Sequence, residues 1–84
     1  MSQGDEAPPS DSEVVRTAAD AAERVIFSRI DRADVEDVDV TVSFEDRRLE
    51  VDVYVHAPGA VVDTQQVADD AALAARAAVD ELLE

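Results

Sequence analysis

Between Val38 and Val55 the sequence alternates twice in succession. Val38, Val40, Val42 and Phe44 are separated by Asp39, Thr41 and Ser43; Leu49, Val51, Val53 and Val55 are separated by Glu50, Asp52 and Tyr54. Successive side chains of a strand point to opposite faces, so this period of two predicts two half-buried strands. With Asp46 and Arg47 as the loop, Phe44 faces Leu49, Val42 faces Val51, Val40 faces Val53 and Val38 faces Val55. Every apolar residue then meets an apolar partner, and a slip by one residue would turn all of them into water. A four-residue loop serves the same register. The turn lacks the glycine usual in a two-residue hairpin loop, which leaves both forms open.

A two-sided hairpin of this kind needs something to cover its valine face. Two further segments supply it. Ser10 and Glu13 have capping-box spacing, followed by Val15, Ala18, Ala19, Ala22, Val25, Ile26 and Ile30 at three- and four-residue steps. This predicts a helix ending near Asp31 to Asp34, with Asp20 and Arg24 as a solvated pair on its outer side. After the break at "APGAV", Asp63 and Gln66 repeat the cap spacing, with Val62 and Val67 at hydrophobic-staple positions. A second helix is expected from there to the C-terminus, with Val67, Ala71, Ala74, Ala75, Ala78 and Leu82 inward. The expected fold is therefore α+β, a two-layer α-β-β-α domain: an antiparallel hairpin with both helices on one face. Residues 1–9, with Gly4, Pro8 and Pro9, read as a disordered acidic tail, and residues 10–84 as a single domain.

Charge narrows the function classes. Among 84 residues, 21 are Asp or Glu and 7 are basic, a formal charge of −14. All the basic residues are arginine. A small chain so charged repels itself in dilute buffer, and molar salt, with a Debye length of about 3 Å, screens that repulsion. The composition is that of an extreme halophile's proteins. Direct nucleic-acid binding is not expected, because phosphate affinity needs clustered basic residues. The absence of cysteine excludes disulfides and thiolate chemistry. No apolar run reaches membrane-spanning length, and the acidic, non-apolar start does not read as a signal peptide, so a cytoplasmic location is expected.

Candidate chemistry is sparse. His56 is the sole histidine, and it shares the polar sheet face with Ser43. The register separates them by roughly 20 Å, too far for a nucleophile and its base. His56 falls opposite Asp37, near Asp39 and Tyr54, so Asp37, Asp39 and His56 form an alternative metal site; the plainer reading is a solvated acidic face. Arg47 and Arg48 form the one local basic spot, able to touch an acidic partner or a phosphate, or simply to balance Glu45, Asp46 and Glu50. Tyr54 on the polar face is a candidate contact anchor. No cofactor is expected. Two strands mean two unpaired edges, and an open edge is a docking surface for another strand. The candidate partner-binding residues are thus Arg47, Arg48, Asp52, Tyr54 and His56, and the expected occupant is a protein partner or a second copy forming a homodimer.

The segments "EVVRTAADAAERVIFSRI", "DVDVTVSFEDRRLEVDVYVHAP" and "VADDAALAARAAVDELL" resemble a haloarchaeal member of a small archaeal protein family of unknown function. The helix-hairpin-helix order is more distantly similar to the small dimerising subunit of the archaeal KEOPS complex, which modifies tRNA. That subunit carries a further strand before its first helix, where this chain has its acidic tail. The resemblance implies a non-catalytic subunit that pairs through its sheet, with chemistry and tRNA contact left to its partners.

Overall fold

The computed structural model describes residues 8–84. Most of the expected acidic tail lies outside the described residues. Helix α1 (Asp11–Arg29) is followed by a short 3-10 turn (Arg32–Asp34), strand β1 (Asp37–Glu45), strand β2 (Arg48–His56) and helix α2 (Thr64–Leu83). The strands pair antiparallel from Asp37 opposite His56 to Glu45 opposite Arg48. This is the register in which Val38, Val40, Val42 and Phe44 face Val55, Val53, Val51 and Leu49. The loop is the two-residue form. Asp46 (φ 51°) and Arg47 (φ 63°) both sit in the left-handed region, as a type I′ turn demands of its two central residues.

Both helices lie on the valine face, α1 along β1 and α2 along β2, and they meet each other above the hairpin. Each has a buried stripe at every fourth position: Val14, Ala18, Ala22 and Ile26 on α1, and Val67, Ala71, Ala75 and Val79 on α2. Alanine in the middle of both stripes lets the helices approach closely, while Val14, Ile26, Val67 and Val79 fill the ends of the seam. Val14, and not the half-buried Val15, heads the α1 stripe. The three- and four-step pattern admits either residue, and contact with α2 selects the straight four-residue row.

Caps set the helix ends. The Ser10 hydroxyl accepts from the Glu13 N–H at 3.2 Å, and the Asp63 carboxylate accepts from Gln65 and Gln66 at 3.0 and 3.4 Å. The first helix stops at Arg29, earlier than its sequence suggests, with Ile30 extended and 2% exposed. Burying Ile30 at the seam turns the chain away, and Asp31 then caps the 3-10 turn by accepting from the Ala33 N–H. Asp20 and Arg24 are not within ion-pairing distance. The interhelical charge contact is instead Arg29 with Asp70, which also accepts from the Gln66 side chain at 3.0 Å. Val62 is 37% exposed and Val61 lies wholly in solvent, so the residues ahead of the second cap present apolar surface to water.

Candidate functional site

The hairpin has one half-covered face, one bare face and two open edges. On the bare face Asp37, Asp39, Thr41, Ser43 and Glu45 of β1, and Arg48, Glu50, Asp52, Tyr54 and His56 of β2, are all exposed. On the covered face Val55 is buried, at 8% exposure, while Val38, Val40, Val42, Phe44, Leu49, Val51 and Val53 are only half-buried. The reason is geometric. In a two-stranded sheet each strand is an edge, so every inward side chain has a strand neighbour on one side and solvent on the other. Two helices overhead close the seam without closing the flanks.

The backbone phase shows which groups those flanks offer. The Glu36 N–H donates to the His56 carbonyl at 2.8 Å, so that carbonyl points toward the first strand. Backbone groups alternate sides along a strand. Glu50, Asp52, Tyr54 and His56 therefore bond inward, and Leu49, Val51, Val53 and Val55 direct their N–H and C=O groups to the open edge. The two-residue loop requires the same phase, since its flanking pair, Glu45 with Arg48, is a hydrogen-bonded one. The outward-bonding residues of β1 are then Val38, Val40, Val42 and Phe44. The half-buried valines carry the free backbone groups.

The two edges differ. Glu36 and Asp37 both stand against His56, two residues opposing one, the arrangement of a β-bulge. Beside this end of β1, Arg32 stacks on the Phe27 ring at 4.1 Å from its centroid, and both line a groove of about 340 Å³ with Val35, Glu36, Asp37 and Val38. The ionisable residues of β1 are Asp37, Asp39 and Glu45, all acidic. Along β2 there is no bulge, and Arg48 offsets part of the charge of Glu50 and Asp52. At its far end a groove of about 260 Å³ is lined by Val53, Tyr54, Val55, His56, Thr64, Gln65 and Ala68.

The candidate residues named from sequence divide between the two ends of the hairpin. Arg47 sits at the turn and Arg48 opposite Glu45, both exposed and neither within ion-pairing distance of an acid among the described residues. Asp52 lies mid-strand opposite Thr41. Tyr54, 55% exposed, and His56 flank the groove at the other end, roughly 25 Å from Arg47. The alternative metal set is not gathered. Asp37 is the cross-strand partner of His56, but Asp39 stands opposite Tyr54, and the carboxylate beside the imidazole is that of Glu36, 3.8 Å away. Among the described residues no three His, Asp or Glu side chains form a cluster able to hold a metal ion. Glu36 was not visible as a site neighbour in the sequence, because it lies outside the alternation and only the bulge brings it to His56. Gln65 and Ala68 were hidden for a related reason: nothing local says that the start of the second helix walls the strand's outer edge.

Residues 11–82 match the model of a family described as a protein of unknown function, DUF3194. The chain belongs to this family. An uncharacterised protein of Natronomonas pharaonis is similar to it, 48% identical over 84 residues and aligned across 100% of both chains. These likenesses place the chain in a small archaeal family. No solved structure matches it. Among the described residues no helix is long and apolar enough to cross a membrane.

Proposed function

We propose that the protein is a non-enzymatic assembly module that pairs through a strand edge of its hairpin with another protein chain. The observation that carries this reading is the half-buried valine row. Leu49, Val51 and Val53, like Val38, Val40 and Val42 across the sheet, remain partly exposed although both helices already lie on their face. Their backbone donors and acceptors point outward beside them. A further strand would satisfy those groups and cover those side chains at once. The polar face offers no gathered set of acid, base and nucleophile, and its acids are spread along two strands. Its acidity disfavours direct contact with nucleic acid, so any such contact would belong to a partner. The likeness in element order to the dimerising subunit of the KEOPS complex gives this reading its most specific form, an accessory subunit beside a tRNA-modifying enzyme.

Affinity capture of the tagged chain from its native cells in molar KCl, followed by sedimentation of the purified material, tests this reading. A complex of fixed stoichiometry is expected, with a second copy or with another small subunit. A chain that sediments as a monomer and recovers no stoichiometric partner would end the proposal. Recovery of KEOPS subunits is the outcome that distinguishes the accessory-subunit form from assembly elsewhere.

A further inference from the structure

We infer that the docking edge is β2, and that its occupant is a second copy of this chain, paired antiparallel about a two-fold axis at Val53 or at Tyr54 to give a continuous four-stranded sheet. The inference rests on the edge-pairing reading above and decides between the two edges.

The first edge is guarded and the second is not. A bulge and inserted charge are the usual means by which an edge strand is kept from pairing. The first strand has both: Glu36 and Asp37 crowd one position, and its ionisable side chains are all acidic. The groove beside its start is lined by the charged side chains of Arg32, Glu36 and Asp37, whereas the groove beside the second strand has no Asp, Glu or Arg in its lining. The second strand is straight in register from Arg48 to His56. It carries the exposed Tyr54, an aromatic able to anchor an interface at small entropic cost. Its groove, walled by Thr64, Gln65 and Ala68, lies where side chains of an added strand would enter.

The sequence of β2 narrows the register. Across a two-fold antiparallel contact, Val51, Val53 and Val55 make the backbone bonds, and the even-numbered residues oppose each other on the polar face. An axis at Asp52 sets Asp52 against its own copy, and an axis at Val51 sets Glu50 against Asp52 twice. Both place like charges directly opposite, which is unfavourable. An axis at Val53 instead sets Asp52 against Tyr54 and Glu50 against His56. An axis at Tyr54 sets Tyr54 against Tyr54 and Asp52 against His56. Self-complementarity of this kind is what a two-fold interface requires. The same operation keeps both valine faces on one side and brings the two copies of α2 together along Gln65, Ala68 and Ala72, which share one side of the helix. The small side chains of Ala68 and Ala72 leave room for that approach.

The chain has no cysteine, so single thiols report proximity without background. In molar KCl, Tyr54→Cys treated with a short bis-maleimide is expected to give a covalent dimer in high yield, and Ser43→Cys, on the first strand, is expected to stay monomeric. Sedimentation supplies the second readout. Val53→Pro removes an outward donor and should convert the dimer to a monomer with an unchanged circular dichroism spectrum; Val42→Pro, the corresponding change on β1, should leave the dimer intact. A dimer that survives Val53→Pro, is lost with Val42→Pro and cross-links through Ser43→Cys would overturn the choice of edge while leaving edge pairing itself in place. A wild-type chain that remains monomeric at millimolar concentration in molar KCl would overturn the second copy as occupant. Capture of a different stoichiometric subunit would then separate that failure from failure of the underlying reading.

Discussion

At the scale of single residues, the turn carries the clearest local strain. Asp46 and Arg47 both occupy the left-handed region, where a side chain crowds its own backbone and only Gly, Asn and Asp are at ease. Arg47→Gly is expected to raise stability by about 0.5–1 kcal/mol, the relief of strain exceeding the added chain entropy of glycine. Thermal melts at fixed salt would show it, and a fall in the midpoint would mean that the Arg47 side chain makes a contact worth more than the strain. Strand positions give a second contrast. Val53 faces the helices and Asp52 faces water, so Val53→Ala should cost about 1–2 kcal/mol, at the low end for a core truncation because Val53 is half-buried. Asp52→Asn should stay within about 0.5 kcal/mol. Equal losses at both positions would contradict the register. Asp70 has its carboxyl held below the usual range, chiefly by the hydrogen bond from Arg29, with Gln66 adding to it. A depressed carboxylate contributes stability above its unfolded pKa and loses it as pH falls through the lower folded value. The Arg29–Asp70 contribution should therefore be present at neutral pH and fade below the ordinary aspartate value of 3.8. Carboxyl NMR titration of the wild type against Arg29→Ala checks the direction: the Asp70 midpoint should rise in the variant.

At the scale of elements, the helix seam is the part of the fold with least tolerance. Ala18, Ala22, Ala71 and Ala75 have no exposed surface, and two stripes of alanine let the helix backbones come close. Ala22→Leu adds volume where there is none to spare and should cost about 1–3 kcal/mol. Ala77→Leu, the same change on the exposed side of α2, should fall within about 0.5 kcal/mol. Denaturant midpoints for the pair would test this, and a neutral Ala22→Leu would imply a seam looser than the burial indicates. The elements themselves were legible because each carries its own period: alternation for the strands, three- and four-residue steps for the helices. The boundaries were less so. That the first helix ends at Arg29, and that Val14 outranks Val15 in the seam, depends on where Ile30 and the second helix lie.

At the scale of the whole molecule, charge and the open edges dominate. A formal charge of −14 on 84 residues, with few ion pairs among the described residues to offset it, makes the folded state self-repelling at low ionic strength. The thermal midpoint should rise steeply between dilute buffer and molar KCl, as screening shortens the reach of that repulsion to about 3 Å. A midpoint that does not move with salt would remove the link between composition and a saline environment. The same screening governs assembly, since two copies of so acidic a chain can approach only when their long-range repulsion is suppressed. Association of the second strand's edge is therefore expected to strengthen with KCl, the reverse of an interface held by opposite charges.

The sequence alone determined the sides of the hairpin and its register, because the period of two fixes the faces and, with a short loop at Asp46 and Arg47, one pairing sets every valine, leucine and phenylalanine against an apolar partner. It determined the two amphipathic helices and their caps by the same local logic, and it placed Tyr54 and His56 on the polar face. Tertiary structure decided what local patterns do not encode. The glycine-free turn accepted left-handed aspartate and arginine because the strand pairing on either side over-determines it. Glu36 was brought to His56 by a bulge that no alternation announces. The inequality of the two strand edges arose only when the 3-10 turn and the end of the first helix came to rest beside one of them, with Arg32 and Glu36 in the groove there, and the start of the second helix walled an uncharged groove beside the other.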